Sequence, residues 1–298
     1  MKVAAVVVTF NRRELLEQTL SALEAQTRRV DRLIVVNNAS TDDTREYLKN
    51  REWSAAATVL TSATNTGGAG GFTLGIEEAY KRGYDAFWLM DDDTVPHADA
   101  LAELLRGMEE AREYRGGVLP SFACSSVLWT DGNMCEMNTP ETVWDWVRPL
   151  AADKDWADVK SCSFVSCLVT RESVEESGLP YREYFIWYDD AEYTTRLAKR
   201  TPGIYVPSSK VDHLLKENKG VNYGEVNESN IWKFEYGVRN QVSAAWSLRN
   251  PAMVAQIGES MLKQMRGRAV PTDLKLRLVK AGLRGLVFHP RKRTVEDI

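Results

Sequence analysis

Hydrophobic and polar residues alternate in blocks along the first hundred positions, and the blocks change period. Residues 3–8 are an unbroken β-branched and alanine run ending at Thr9-Phe10-Asn11. Leucines 15, 16, 20 and 23 then fall on one helical face across 12–26. A second strand at 32–36 ends in Asn37-Asn38, and Ser40-Thr41-Asp42-Asp43 marks the start of a helix reaching about Lys49. A weaker strand covers 57–61. The glycine loop 65–71 opens a helix to about Arg82, and 85–90 is a fourth strand that runs into Asp91-Asp92-Asp93. Strand and helix alternating through short connections predict a parallel, doubly wound α/β sheet.

Past residue 98 a helix to about Tyr114 is expected, and then the pattern loosens. Residues 117–120, 124–129 and 160–170 read as strands of a mixed second half. The stretch 131–158 carries Trp144, Trp146 and Trp156 without regular periodicity and reads as a substrate-facing insertion. Residues 189–200 read as a helix, 203–206 as a short strand and 214–229 as a mobile polar loop. From residue 230 the chain is helical in segments, broken at Asn250-Pro251 and Val270-Pro271. This divides the chain into 1–229 and a helical extension, 230–298.

Composition narrows the functional classes. With 38 Lys and Arg against 42 Asp and Glu, the net charge of −4 argues against general nucleic-acid binding. Residues 261–298, in contrast, hold ten basic against three acidic side chains. No run approaches the ~20 apolar residues that span a bilayer. Met1-Lys2 leads straight into a run too short for a secretion leader. The cysteines (124, 135, 162, 167) lack CxxC spacing and read as reduced. A cytoplasmic protein is expected.

The chemistry concentrates at strand ends. Three adjacent carboxylates after a buried strand repel one another, and a divalent cation relieves that repulsion with hard oxygen ligands. A solvated acidic turn is the competing reading. The glycine loop lacks both GK[ST] and GxGxxG; it either cradles phosphate on its amides or packs tightly on the sheet. Asp189-Asp190-Ala191-Glu192 follows the aromatic stretch 185–188. Trp187 and Tyr188 suggest a sugar-stacking wall beside a general base, while Asp at a helix start also serves as a cap. His213, after a strand, is a candidate third metal ligand. His97 and His289 read as surface residues.

Taken in order, VVVTFNR (6–12), VVNNASTDDT (35–44), NTGGAGGF (65–72), FWLMDDDTVP (87–96), WYDDAEYTTRLAKR (187–200), His213 and FEYGVRNQ (234–241) resemble family 2 glycosyltransferases of the GT-A fold. The resemblance is to bacterial galactofuranosyltransferases first and rhamnosyltransferases next. It implies a Rossmann-like nucleotide-binding sheet in a catalytic domain over 1–229, with a mixed second half and a C-terminal helical extension. Thr9, Arg12 and Asn38 would hold uridine, with Asn65, Gly68 and Asp92 completing the nucleotide site. Asp91, Asp93 and His213 would carry Mn²⁺ or Mg²⁺. Asp190 would be the base of an inverting transfer, and Trp187, Tyr188, Asp189 and Glu192 would line the acceptor site. A UDP-sugar donor and a glycan or polyprenyl-linked acceptor in cell-surface polysaccharide synthesis follow from the same resemblance.

The leucines and basic residues of 274–293 read either as a helix on an anionic inner leaflet or as one packed on the catalytic domain or a second subunit. A dTDP-rhamnose-using enzyme is the nearest rival. A nucleotidyltransferase would want glycines directly after the first strand, where 9–13 has none. A carbohydrate-binding module, suggested by nine tryptophans, would not need two acid clusters.

Overall fold

The computed structural model describes residues 1–266 and 270–298. Its first half alternates Val3–Thr9 (β1), Arg13–Glu24 (α1), Arg32–Asn37 (β2), Thr44–Asn50 (α2), Ala57–Thr61 (β3), Gly67–Lys81 (α3) and Ala86–Asp91 (β4). β1 lies parallel between β2 and β4, and β3 extends the sheet beyond β2. All seven residues of β1 are buried. A central parallel strand is covered on both faces, so its sequence is a continuous apolar run.

The second half is Thr94–Pro96 (β5), Ala100–Tyr114 (α4), Phe122–Leu128 (β6), Glu141–Thr142 (β7), Arg148–Ala151 (α5), Ala157–Ser161 (β8), Cys167–Thr170 (β9), Arg171–Ser177 (α6), Asp189–Leu197 (α7) and Gly203–His213 (β10). The sheet order is β3-β2-β1-β4-β9-β6-β10-β8-β7, with β5 on β10. β9 runs antiparallel between β4 and β6, which turns the parallel sheet into a mixed one.

Four expectations change here. Residues 117–120 form no strand; positive φ at Gly116 and Gly117 makes this a turn after α4. The strand expected over 160–170 is two, because the chain leaves β8 on one side of β10 and crosses to β9 beside β4. The short strand at 203–206 continues past an irregularity between Val206 and Lys210 as far as His213. β5, three residues beyond the acidic triplet's strand, carried no signal. It pairs antiparallel with β10 and sets His213 opposite Thr94.

Two cores cover the two sheet faces. Leu16, Leu20, Leu101, Leu104 and Trp88 lie in one, and Phe72, Ile76, Phe87, Tyr193 and Leu197 in the other. A Cβ on Gly71 or Gly75 would come 2.5 Å from Val8 or 2.2 Å from Val6, so α3 lies closer to the sheet than any larger residue permits. Ile231–Ser247 (α8), Pro251–Arg266 (α9) and Thr272–Gly285 (α10) build a third core that also takes in Tyr223 and Val226. The polar stretch 214–229 is therefore anchored at its far end. The last residues return to the first half: Leu179 N donates to Arg293 O at 2.9 Å, and Arg293 pairs with Glu77.

Candidate functional site

The C-terminal ends of β1, β2 and β4 open onto one edge of the sheet, the usual ligand side of such a fold. At that edge Asp92 and Asp93 of the acidic triplet take different partners. The Asp92 carboxylate is held inside the protein: Oδ2 accepts from Thr9 Oγ1 at 2.7 Å and from Phe10 N at 3.3 Å, and Arg12 Nη1 donates to Oδ1 at 3.3 Å. Thr19 Oγ1 donates to its backbone oxygen at 2.8 Å. Asp92 thereby fastens the end of β4 to the loop after β1. Arg12 also donates to Asp93 Oδ2 at 2.6 Å, so a guanidinium now neutralises the cluster.

Asp93 and His213 meet. Leu214 N donates to Asp93 O at 2.9 Å, continuing the β5–β10 pairing that carries the imidazole there. His213 Nε2 stands 3.2 Å from Asp93 Oδ1, within ion-pair reach but off the line of a hydrogen bond, and that buried oxygen has no hydrogen-bond partner. The far side of the ring is set by Asn138: Nδ1 donates to Asn138 Oδ1 at 2.8 Å, while Asn138 Nδ2 donates to Ser163 Oγ at 2.9 Å. The proton on Nδ1 leaves the Nε2 position facing Asp93 for a proton or a metal ion.

The ionisation of these groups follows from their crowding. Burial, then Asp93 and Asp92, pushes Asp91 up to about 7, although the residue keeps partial exposure. Burial and Asp93 push Asp92 to about 6 against the pull of Arg12. For Asp93 the same burial is outweighed by His213 and Arg12, and its pKa falls below the ordinary carboxylate range. His213 is raised to about 9, because contact with Asp93 outweighs desolvation.

A second acid pair starts α7. Asp189 is buried and lies well above its ordinary value through desolvation, then Asp190; Asp91 adds a smaller push, so the two acid clusters sense each other's charge. Asp190 is raised by burial too. Asp190 keeps partial exposure, and of the pair Asp189 is the more enclosed. Asp190 Oδ1 accepts from Ala191 N at 2.7 Å. Glu192 is engaged by Arg196 (2.9 and 3.0 Å). Trp187 packs edge-on against Phe234 at 4.9 Å between ring centres, and Tyr188 is pushed up to about 12 by burial.

The glycine loop is knitted to β2. Asn38 Nδ2 donates to Gly67 O at 2.8 Å and to Asn65 Oδ1 at 3.1 Å, and its Oδ1 accepts from Thr66 N and Oγ1, both at 3.0 Å. Gly67 has φ +71, and a Cβ there would lie 2.0 Å from Phe185 O. Beside Gly68 nothing lies within 4 Å. Tight packing accounts for Gly67, Gly71 and Gly75, and Gly68 alone has open space.

Thus Thr9, Arg12, Asp92, Asp93 and His213 share one network, Asp91 and Asp189 couple across the gap, and Asn38, Asn65 and Gly68 form a neighbouring loop. Among the described residues no three His, Cys, Asp or Glu side chains are close enough to hold a metal ion as they stand. Even so, Asp93 Oδ1, which accepts no hydrogen bond, and the oriented His213 Nε2 are the donor types that Mn²⁺ or Mg²⁺ accepts. Asn138 was invisible in the sequence, sitting in the irregular 131–158 stretch.

Residues 4–178 match the model of glycosyl transferase family 2. The chain is 47% identical over 215 residues to the galactofuranosyltransferase GlfT1 of Mycolicibacterium smegmatis, covering 66% of this chain and 65% of that protein. It is 45% identical over 111 residues to GlfT1 of Mycobacterium tuberculosis, 36% of each chain. Among solved structures, S. aureus TarS 1-349 in complex with UDP superposes with a TM-score of 0.61 at 14% identity, covering 94% of this chain and 79% of that one. GalNAc-T7 with UDP, GalNAc and Mn²⁺ gives 0.61 at 15%, covering 99% and 55%. These likenesses are to the fold, that of GT-A glycosyltransferases.

Proposed function

The chain belongs to glycosyl transferase family 2, and from that premise we propose that it transfers galactofuranose from UDP-galactofuranose, with inversion, to a glycan or polyprenyl-linked acceptor of cell-surface polysaccharide. The named relatives support the sugar. The observation that carries the chemistry is a pair of acid clusters: Asp93 beside His213, its Oδ1 accepting no hydrogen bond, and Asp190 at the start of α7.

On this reading Asp190, ionised, accepts the acceptor hydroxyl proton. The oxygen bonds to the anomeric carbon as the bond to the diphosphate breaks, and the electron pair departs with UDP. A pKa raised by burial brings the base nearer the working pH, where general bases are most effective. Asp93 and His213, with Asp91 beside them, would hold Mn²⁺ or Mg²⁺, which when bound supplies charge neutralisation for the leaving diphosphate. Arg12 would give up part of its contact with Asp93 and turn towards the nucleotide with Thr9.

The helical extension, taken as 230–298, supports placing the enzyme at the cytoplasmic face of a membrane. α10 buries Leu274, Leu278, Ala281 and Gly285 against α8, yet exposes Leu276, Val279 and Leu283 on its other face beside Lys280 and Arg284. An apolar stripe flanked by cations suits an anionic leaflet. No helix among the described residues is long and apolar enough to cross a membrane.

The test is a donor screen with the full chain, Mn²⁺ and candidate acceptors, following release of nucleoside diphosphate. UDP-galactofuranose should be turned over well above UDP-galactopyranose and dTDP-rhamnose. Preference for dTDP-rhamnose would replace the donor, and no turnover of any nucleotide sugar would overturn the reading.

A further inference from the structure

The segment 184–188, just before the second acid pair, is held in a conformation that its own residues do not favour. Phe185, Trp187 and Tyr188 all have positive φ (+65, +65 and +69), and none is glycine. Such backbone persists only where its surroundings over-determine it. Here most of the hydrogen bonds that hold the turn come from two neighbouring side chains on α8, Asn240 and Arg239. Asn240 is fully buried, and its Nδ2 donates to the carbonyls of Tyr184 (2.9 Å), Ile186 (3.2 Å) and Trp187 (2.8 Å). Two amide hydrogens thus serve three carbonyls of the strained turn.

The orientation of that amide is itself fixed. Arg239 donates to Asn240 Oδ1 through Nε at 3.0 Å and Nη2 at 2.7 Å. The guanidinium lies 4.0 Å from the centre of the Phe288 ring and 4.7 Å from that of Tyr236. Gly237 makes the approach possible: a Cβ there would come 2.9 Å from Trp187 Cε3. From the other side, Ala69 N donates to Phe185 O at 3.2 Å. The turn is clamped between α8 and α3, and α7 begins on the next residue.

We propose that Asn240 is a positioning residue: by holding the carbonyls of 184, 186 and 187 it sets where α7 starts and so where the Asp190 carboxylate stands, with Arg239 orienting it. This rests on the reading of Asp190 as the base. It also explains the Gly237 and Arg239-Asn240 spacing on α8, which places a glycine and an amide on the helix face that meets the turn.

The experiment uses the full chain. Asn240→Asp keeps the volume but turns acceptor oxygens towards three carbonyls. Turnover should fall about 100-fold, the order expected for an ångström-scale misplacement of a reacting group. UDP affinity, measured by calorimetry with Mn²⁺, should stay within about twofold, while the melting temperature should fall by several degrees because buried carbonyls lose their donor. In an Asp190→Asn background the same change should cost nothing further, because the group it positions is gone. Unchanged turnover in Asn240→Asp while Asp190→Asn is inactive would overturn this proposal alone. So would a loss that repeats in the Asp190→Asn background, or one matched by an equal loss of UDP affinity. Near-normal turnover in Asp190→Asn would overturn the base reading and this inference with it. Should Asn240→Asp not fold, Arg239→Lys, which loses the planar fork on Oδ1, should lower turnover with UDP affinity kept; full activity there would overturn the proposal.

Discussion

Replacing Asp190 by Asn should remove catalysis and leave the protein at least as stable as before. The side chains are near-isosteric, and the retained Oδ1 can still accept from Ala191 N, now 2.7 Å away. Loss of a general base costs about 10²–10⁴-fold in turnover, or about 2.7–5.4 kcal/mol of transition-state stabilisation. The effect on stability has the opposite sign. Burial raises the Asp190 pKa above its ordinary 3.8. A group raised in the folded state binds its proton more tightly there than when unfolded. Its favourable contribution is therefore complete at low pH and lost as pH rises through the folded pKa. Each unit of elevation penalises the ionised folded form by about 1.4 kcal/mol. Asn carries no such penalty, and it also relieves Asp189, which Asp190 helps to elevate. The excess melting temperature of Asp190→Asn over the parent should thus grow as pH rises from the ordinary 3.8 through the raised folded pKa, and then level off. UDP release and circular-dichroism melts on the same preparations measure both effects. Near-normal UDP release would refute the catalytic assignment, and a melting gap that shrinks with rising pH would refute the burial argument.

Chelation by EDTA should abolish turnover and added Mn²⁺ restore it, with Asp93→Asn and His213→Ala losing the restored activity; full turnover in chelator would remove the metal from this site. Gly67→Ala should destabilise by about 2–4 kcal/mol, combining a left-handed φ with a Cβ placed on Phe185 O, as read by denaturant melts. Gly68→Ala, with open space around it, should be neutral or slightly stabilising, and unchanged UDP affinity in that variant would take Gly68 out of the nucleotide site. The chain should sediment with anionic vesicles, and Leu276→Ser with Leu283→Ser should release it; equal pelleting of both, or a dimer in solution that the double variant splits, would replace the membrane with another partner.

Local pattern determined a great deal. The apolar runs of β1, β2 and β4 are buried on both faces and, at six or seven residues each, have strand rather than helix length, and the leucine spacing of α1 specifies which face meets them. The acidic triplet at the end of β4 was legible for the same reason: three carboxylates after a buried strand need an explanation. Pattern failed where a contact depends on residues far apart in the chain. β5 is three residues long and exists only because β10 lies beside it, so no periodicity could announce it. That pairing, from 94–96 to 211–213, brings His213 to Asp93. Asn138 orients the imidazole from an irregular stretch, and Asn240 holds the 184–188 turn from a helix that reads as ordinary. Sequence alone decides which segments are buried, because hydrophobic periodicity is a local property. Which buried polar atoms face one another is decided only when strands and helices are packed, since each such pair joins groups that chain proximity never brings together.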